Sequence, residues 1–149
     1  MSGVLRVLPA PDTTRVFPRA LFSQVSQDWR TPAEVYAGLD AEFHFTLDPC
    51  PAHWDASYLD GLKRSWAQER VFCNPPYRRG QIVRWLMRAR EAPVAVYLLP
   101  VRTTPSWWHD YALQADEIRF FKKRLRFSGA KINAPFDSCV IVYRNAAAS

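Results

Sequence analysis

The chain has 149 residues, enough to bury one substantial core and too few for two, so a single domain is expected. Hydrophobic residues make up 48% and charged residues 23%, which excludes disordered and fibrous classes; no apolar run nears the roughly 18 residues of a membrane span and no signal-peptide pattern is seen, so a cytosolic, membrane-free protein is expected. A formal charge of +6 gives the surface a positive field that favours polyanions such as nucleic acid.

Residues 1–22 contain Pro9, Pro11 and Pro18 with little periodicity, and are expected to form a loosely ordered arm before a domain over 23–145 and a tail at 146–149. Thr31-Pro32-Ala33-Glu34 has the form of a capping box with proline at the first helical position, and Val35, Tyr36, Leu39 and Phe43 follow on one helical face. Apolar and polar residues alternate over 43–47, predicting a short strand that ends at Asp48-Pro49. From Cys50 to Arg70 only the turn pair Asp60-Gly61 stands out. Val71-Phe72-Cys73 reads as a second short strand, halted by Asn74-Pro75-Pro76-Tyr77.

After Gly80, the residues Ile82, Trp85, Leu86 and Ala89 recur at helical spacing, with Arg84, Arg88 and Arg90 in more exposed directions. The uninterrupted apolar run 94–99, between Pro93 and Pro100, predicts a central strand buried on both faces. Thr104-Pro105 opens a third helix with Trp107, Trp108, Tyr111, Ala112 and Ala115 on its apolar side, where both tryptophans read as core. Strands are expected over 117–121, 124–127 and 136–143. The alternation predicts an α/β sheet covered by helices.

Asn74-Pro75-Pro76-Tyr77 carries the most chemistry, because ligands of open α/β sheets bind at the carboxyl ends of strands. An exocyclic amine on a base is a poor nucleophile, its lone pair being delocalised into the ring. A site that accepts hydrogen bonds from both N–H groups holds the amine and favours a more tetrahedral nitrogen as a new bond forms. The Asn74 side-chain carbonyl and the Pro75 backbone carbonyl are two such acceptors, and proline both fixes the backbone and cannot donate. Tyr77 offers a ring on which an extruded base can stack, a function that needs the ring and not the hydroxyl. In isolation the same tetrapeptide is also a plain turn.

Together with Trp29-Arg30-Thr31-Pro32, Phe45-Thr46-Leu47-Asp48-Pro49-Cys50, Leu98-Leu99-Pro100 and Arg124-Leu125-Arg126-Phe127-Ser128, this loop gives a chain that resembles the phage-type Dam family of DNA N6-adenine methyltransferases from Trp29 almost to its last residues. The resemblance implies an abbreviated Rossmann-like, S-adenosylmethionine-dependent methyltransferase sheet with flanking helices, acting on double-stranded DNA in the cytoplasm of a bacterial host. It also implies that Asn74, Pro75, Pro76 and Tyr77 form the catalytic loop. Asp48, Thr31, Pro32 and Cys50 are implied in the cofactor pocket, although Thr31 is equally explained as a helix cap. The glycine-rich turn usual after the first strand of such folds is replaced here by Asp48-Pro49-Cys50-Pro51-Ala52.

Arg78 and Arg79 follow the loop, and Arg119, Lys122, Lys123, Arg124 and Arg126 crowd one short segment. Next to a flipped base, Arg78, Arg79, Lys122, Lys123, Arg124 and Arg126 are expected to hold DNA phosphates. Cys50, Cys73 and Cys139 fit a reducing compartment, and Cys50 with His53 and Cys73 lacks the second ligand pair a zinc site needs, so no metal is expected. Two other readings remain open: the same loop acting on cytosine N4 or another planar amine or amide, and a DNA-binding module that keeps the fold without catalysis.

Overall fold

The computed structural model describes residues 4–8, 30–51, 61–78 and 80–145. Trp29, Ala52, His53, Asp60, Arg79, the tail and all of the arm except 4–8 lie outside the described residues. In chain order the elements are β1 (Val4–Leu8), α1 (Ala33–Phe43), β2 (Arg70–Cys73), α2 (Gln81–Leu86), β3 (Val94–Pro100), α3 (Ser106–Asp110), a 3-10 turn at Ala112–Gln114, β4 (Glu117–Phe121) and β5 (Ser138–Arg144).

The sheet has five strands in the order β1-β4-β5-β3-β2. β2 runs parallel to β3, and β1 parallel to β4, while β5 is antiparallel to both β3 and β4. The carboxyl ends of β1, β2, β3 and β4 therefore share one edge of the sheet. β3 is buried along its whole length, as its continuous apolar run predicts. Its side chains alternate: Ala95, Tyr97 and Leu99 pack with Trp66, Trp85 and Trp108 on one face, while Val94, Val96 and Leu98 pack with Val35, Leu39 and Phe43 of α1 on the other. The result is an α/β arrangement with helical cover on both faces; among the described residues, no helix is long and apolar enough to cross a membrane.

Several expectations are corrected. Residues Val4–Leu8, assigned to the loose arm, form the edge strand β1, because the short run Val-Leu-Arg-Val-Leu finds a parallel partner in β4. The capping box does not form: Pro32 occupies the N-cap and no side chain caps α1. The strand over 43–47 is reduced to a bridge between Leu47 and Val71, since α1 continues through Phe43 and ends on His44 in the left-handed conformation. Residues 124–127 are not a strand, and the last strand begins at Ser138.

Much of the arginine content is structural. Arg88 lies over the Trp66 ring and donates to the carbonyls of Leu62 and Arg64, while Arg90 bonds to Asp116, Asn145 and the Gln114 carbonyl. Arg119 sits in a shallow layer out of solvent, holding Glu42 of α1 through both terminal nitrogens (2.7 and 2.6 Å) and Glu117 through Nε (2.9 Å). Burial alone would raise the Glu117 carboxyl, but hydrogen bonds from Arg119 and Arg144 hold it at about 2. These bonds clip α1 to β4 and β5 and remove Arg119 from the expected basic surface.

Candidate active site

β2 delivers Asn74-Pro75-Pro76-Tyr77 to the edge where four strands end. Pro75 and Pro76 are buried, and Asn74 and Tyr77 half-buried. The loop is pinned at both ends. Asn74 Nδ2 donates to the Thr31 hydroxyl at 3.1 Å, and the Tyr77 hydroxyl donates to the Leu98 carbonyl of β3 at 3.0 Å. With Nδ2 on Thr31, the amide carbonyl Oδ1 points away from the Thr31 hydroxyl and is buried. The chain then turns through Gly80, whose φ of 81° lies in the left-handed region that glycine tolerates, and enters α2.

Thr31 is itself held. Ser128 donates its hydroxyl to the Thr31 carbonyl (3.1 Å) and its N–H to the Arg30 carbonyl (3.0 Å), forming an antiparallel bridge between the two segments. The hydroxyl that a capping box would turn inward to α1 is thus engaged by Asn74. Beyond the bridge, Phe127 and Phe136 meet the Tyr77 ring edge-on, with centroids 6.4 and 5.7 Å away. Burial pushes the Tyr77 phenol well above its ordinary value, so it stays neutral.

Asp48 reaches the same edge by a different route. Leu47 lies beside β2, its carbonyl accepting from the Phe72 N–H at 3.0 Å, and Asp48 follows where this pairing ends. Its Oδ1 accepts from the Cys50 N–H (3.2 Å). The side chain keeps access to solvent but is crowded from behind by protein, and this desolvation pushes its carboxyl up to about 6 against the pull of the Cys50 N–H. A glycine from outside the turn takes the tight position: a β-carbon on Gly61 would stand 1.8 Å from the Pro49 carbonyl oxygen. Cys50 is buried beneath the turn, and Pro32 is half-buried at the start of α1.

Arg78, Lys122, Lys123, Arg124 and Arg126 are all exposed, and the last four follow β4 on the edge shared with the loop. Arg124 Nε stands 3.4 Å from Asp137. Among the described residues, no group of three or more His, Cys, Asp or Glu could hold a metal ion. Sequence reasoning missed the Ser128 hydroxyl and the Leu98 carbonyl as supports, and it missed that Trp107, which packs against the core as expected, also faces a cleft. Trp108 is buried, but Trp107 is half-buried and lines a cleft beside Tyr77 with Arg102. Arg102 follows β3 by two residues, and that placement at a strand end was the available signal.

A family model described as DNA N-6-adenine-methyltransferase (Dam) matches residues 20–143, a span that includes Thr31, Asp48, the Asn74–Tyr77 loop and Ser128. Comparisons with curated proteins and with solved structures found no match.

Proposed function

Because this chain belongs to the Dam family of DNA N-6-adenine-methyltransferases, we propose that it transfers the methyl group of S-adenosylmethionine to N6 of an adenine in double-stranded DNA, with Asn74-Pro75-Pro76-Tyr77 as the catalytic loop. Family membership implies the DNA adenine-N6 activity; the donor and the residue roles are our reading. The observation that carries it is the pinning of the loop at Asn74 and at Tyr77. A loop already fixed before substrate arrives loses little order during reaction, as electrostatic preorganisation requires.

In this reading the adenine leaves the stack and lies against Tyr77, while Asn74 Oδ1 and the Pro75 carbonyl accept hydrogen bonds from its two N6 N–H groups, and the proton that the methyl group displaces leaves to water. Thr31 acts on Asn74: by accepting from Nδ2 it keeps the amide turned so that the carbonyl, not the amino group, meets the substrate amine. Tyr77 takes no proton, because its neutral hydroxyl already donates to Leu98.

The chemistry at Asp48 suits the donor. A water-accessible carboxylate crowded by protein favours hydrogen-bond donors that replace lost hydration, such as ribose hydroxyls or an ammonium group. Asp48, together with Thr31, Pro32 and Cys50, would hold S-adenosylmethionine, which supplies an electrophilic methyl group on a sulfonium. Gly61 braces the turn in place of a glycine-rich loop. Arg78, Arg79, Lys122, Lys123, Arg124 and Arg126 would contact phosphates in this arrangement. Nucleoside mass spectrometry of DNA incubated with the protein and isotope-labelled S-adenosylmethionine tests the function: labelled N6-methyldeoxyadenosine supports it, and label on cytosine N4 moves it to the neighbouring activity.

A further inference from the structure

Beside the catalytic loop lies a cleft of about 500 Å³, bounded by the loops that follow β2 and β3. Tyr77, Arg78 and Gly80 line it from one side, and Arg102, Thr104 and Trp107 from the other. Arg102, Thr104 and Trp107 play no part in the reaction outlined above. Trp107 meets the buried Trp108 at a centroid distance of 5.7 Å and an interplanar angle of 70°, so the core supports its indole. Whereas Arg90, Arg119 and Arg144 are bonded to carboxylates, Arg102 is exposed at the cleft.

The combination selects an occupant. Two guanidinium groups are a geometric match for phosphate, and an indole is a surface for a base. The volume lies in the range that accepts one drug-sized or nucleotide-sized group and is far too small for duplex DNA. Tyr77 belongs to this cleft as well as to the catalytic loop, so whatever fills it adjoins the flipped base. We infer that the cleft receives the nucleotide next to the flipped adenine on the same strand, with its phosphate between Arg78 and Arg102 and its base against Trp107. The inference rests on the base-flipping reading of the loop. It makes Trp107 and Arg102 contributors to DNA binding and to preference for the neighbouring base.

The test uses the full chain and a substrate duplex that carries 5-iododeoxyuridine beside the target adenine. Irradiation should cross-link the strand to Trp107, located by peptide mass spectrometry. Arg102→Ala should weaken DNA binding and reduce the salt slope by about 1. Trp107→Ala should weaken binding by about fivefold or more, and Trp107→Phe should recover most of the loss because stacking needs only a ring. Thermal midpoint should stay at the wild-type value in Arg102→Ala and Trp107→Phe, and S-adenosylmethionine affinity in all three variants. A cross-link elsewhere, or unchanged DNA affinity in both alanine variants, overturns the assignment. Wild-type methylation of the same duplex without iodine separates the two levels: methyl transfer with unaffected variants removes only the cleft, and a wild type that transfers no methyl group removes the cleft together with the reading beneath it.

Discussion

The side-chain amide of Asn74 donates to the Thr31 hydroxyl across 3.1 Å, joining the start of the first helix to the start of the Asn74–Tyr77 loop over 43 positions of sequence. In the proposed reaction this bond decides which end of the amide faces the substrate. Thr31→Val keeps the shape and removes the acceptor, so turnover should fall about fivefold to tenfold, the scale of one hydrogen bond. DNA affinity should change by less than about twofold, S-adenosylmethionine affinity should fall less than turnover does, and Thr31→Ser should restore turnover. If S-adenosylmethionine affinity falls as far as turnover does, Thr31 acts through the cofactor instead.

Tyr77 separates stacking from anchoring. Tyr77→Phe keeps the ring and loses the bond to the Leu98 carbonyl, which should lower kcat/KM by no more than about tenfold. Tyr77→Ala should cost more, because base stacking is worth on the order of 1–3 kcal/mol. Steady-state kinetics on one duplex check both, and equal losses would show that the hydroxyl does more than hold the ring.

If Asp48 holds the methyl donor as proposed, it gives that site a pH dependence. Its carboxyl is pushed up to about 6, so it is largely protonated below that pH and becomes an acceptor for cationic or hydroxyl donors above it. S-adenosylmethionine affinity should therefore rise as pH increases from 5 to about 7, and Asp48→Asn should flatten the profile. Calorimetry at several pH values is decisive, and the same rise in the variant would take Asp48 out of the site.

The Glu42–Arg119–Glu117 cluster makes a stability prediction from a pKa shifted in the opposite direction. Glu117 is held at about 2, below its ordinary 4.5, so its stabilising effect is complete above the ordinary value and is lost as pH falls from there towards 2. Arg119→Met at neutral pH leaves the buried Glu117 with only Arg144 and Arg6 as partners and should cost about 1.5–3 kcal/mol in urea unfolding. Adding Glu117→Gln to Arg119→Met should recover part of the loss. A single variant as stable as the wild type would mean that the cluster does not hold α1 to the sheet.

Local pattern revealed the elements that local chemistry dictates. The continuous apolar run of β3, the proline stop after Cys73 and the helical face of Val35, Leu39 and Phe43 each depend on near neighbours in sequence, and each is present. What escaped depends on distant partners. Val4–Leu8 is a strand only because β4 lies beside it, and Leu5 and Val7 remain exposed there, so no burial pattern marked it. Arg119 reads as one cation among several until Glu42 and Glu117 stand beside it. Thr31 satisfies the pattern of a helix cap but is engaged by Asn74, a bond that spacing along the chain cannot foretell. Of the candidate site, the loop itself was legible, whereas its supports at Ser128 and Leu98 and the cleft at Arg102 and Trp107 were not.

The central claim is that Asn74 assists methyl transfer to adenine N6, and a single-turnover assay tests it most directly. Wild type and Asn74→Ala are each mixed in excess with an adenine-containing duplex and labelled S-adenosylmethionine, and N6-methyldeoxyadenosine is counted over time. An interaction that strengthens only as the bond forms lowers the barrier without tightening the ground state. Asn74→Ala should therefore slow the transfer step by about 100-fold or more, with cofactor and DNA affinities near those of the wild type. Methylation of adenine by Asn74→Ala at the wild-type rate would contradict the account.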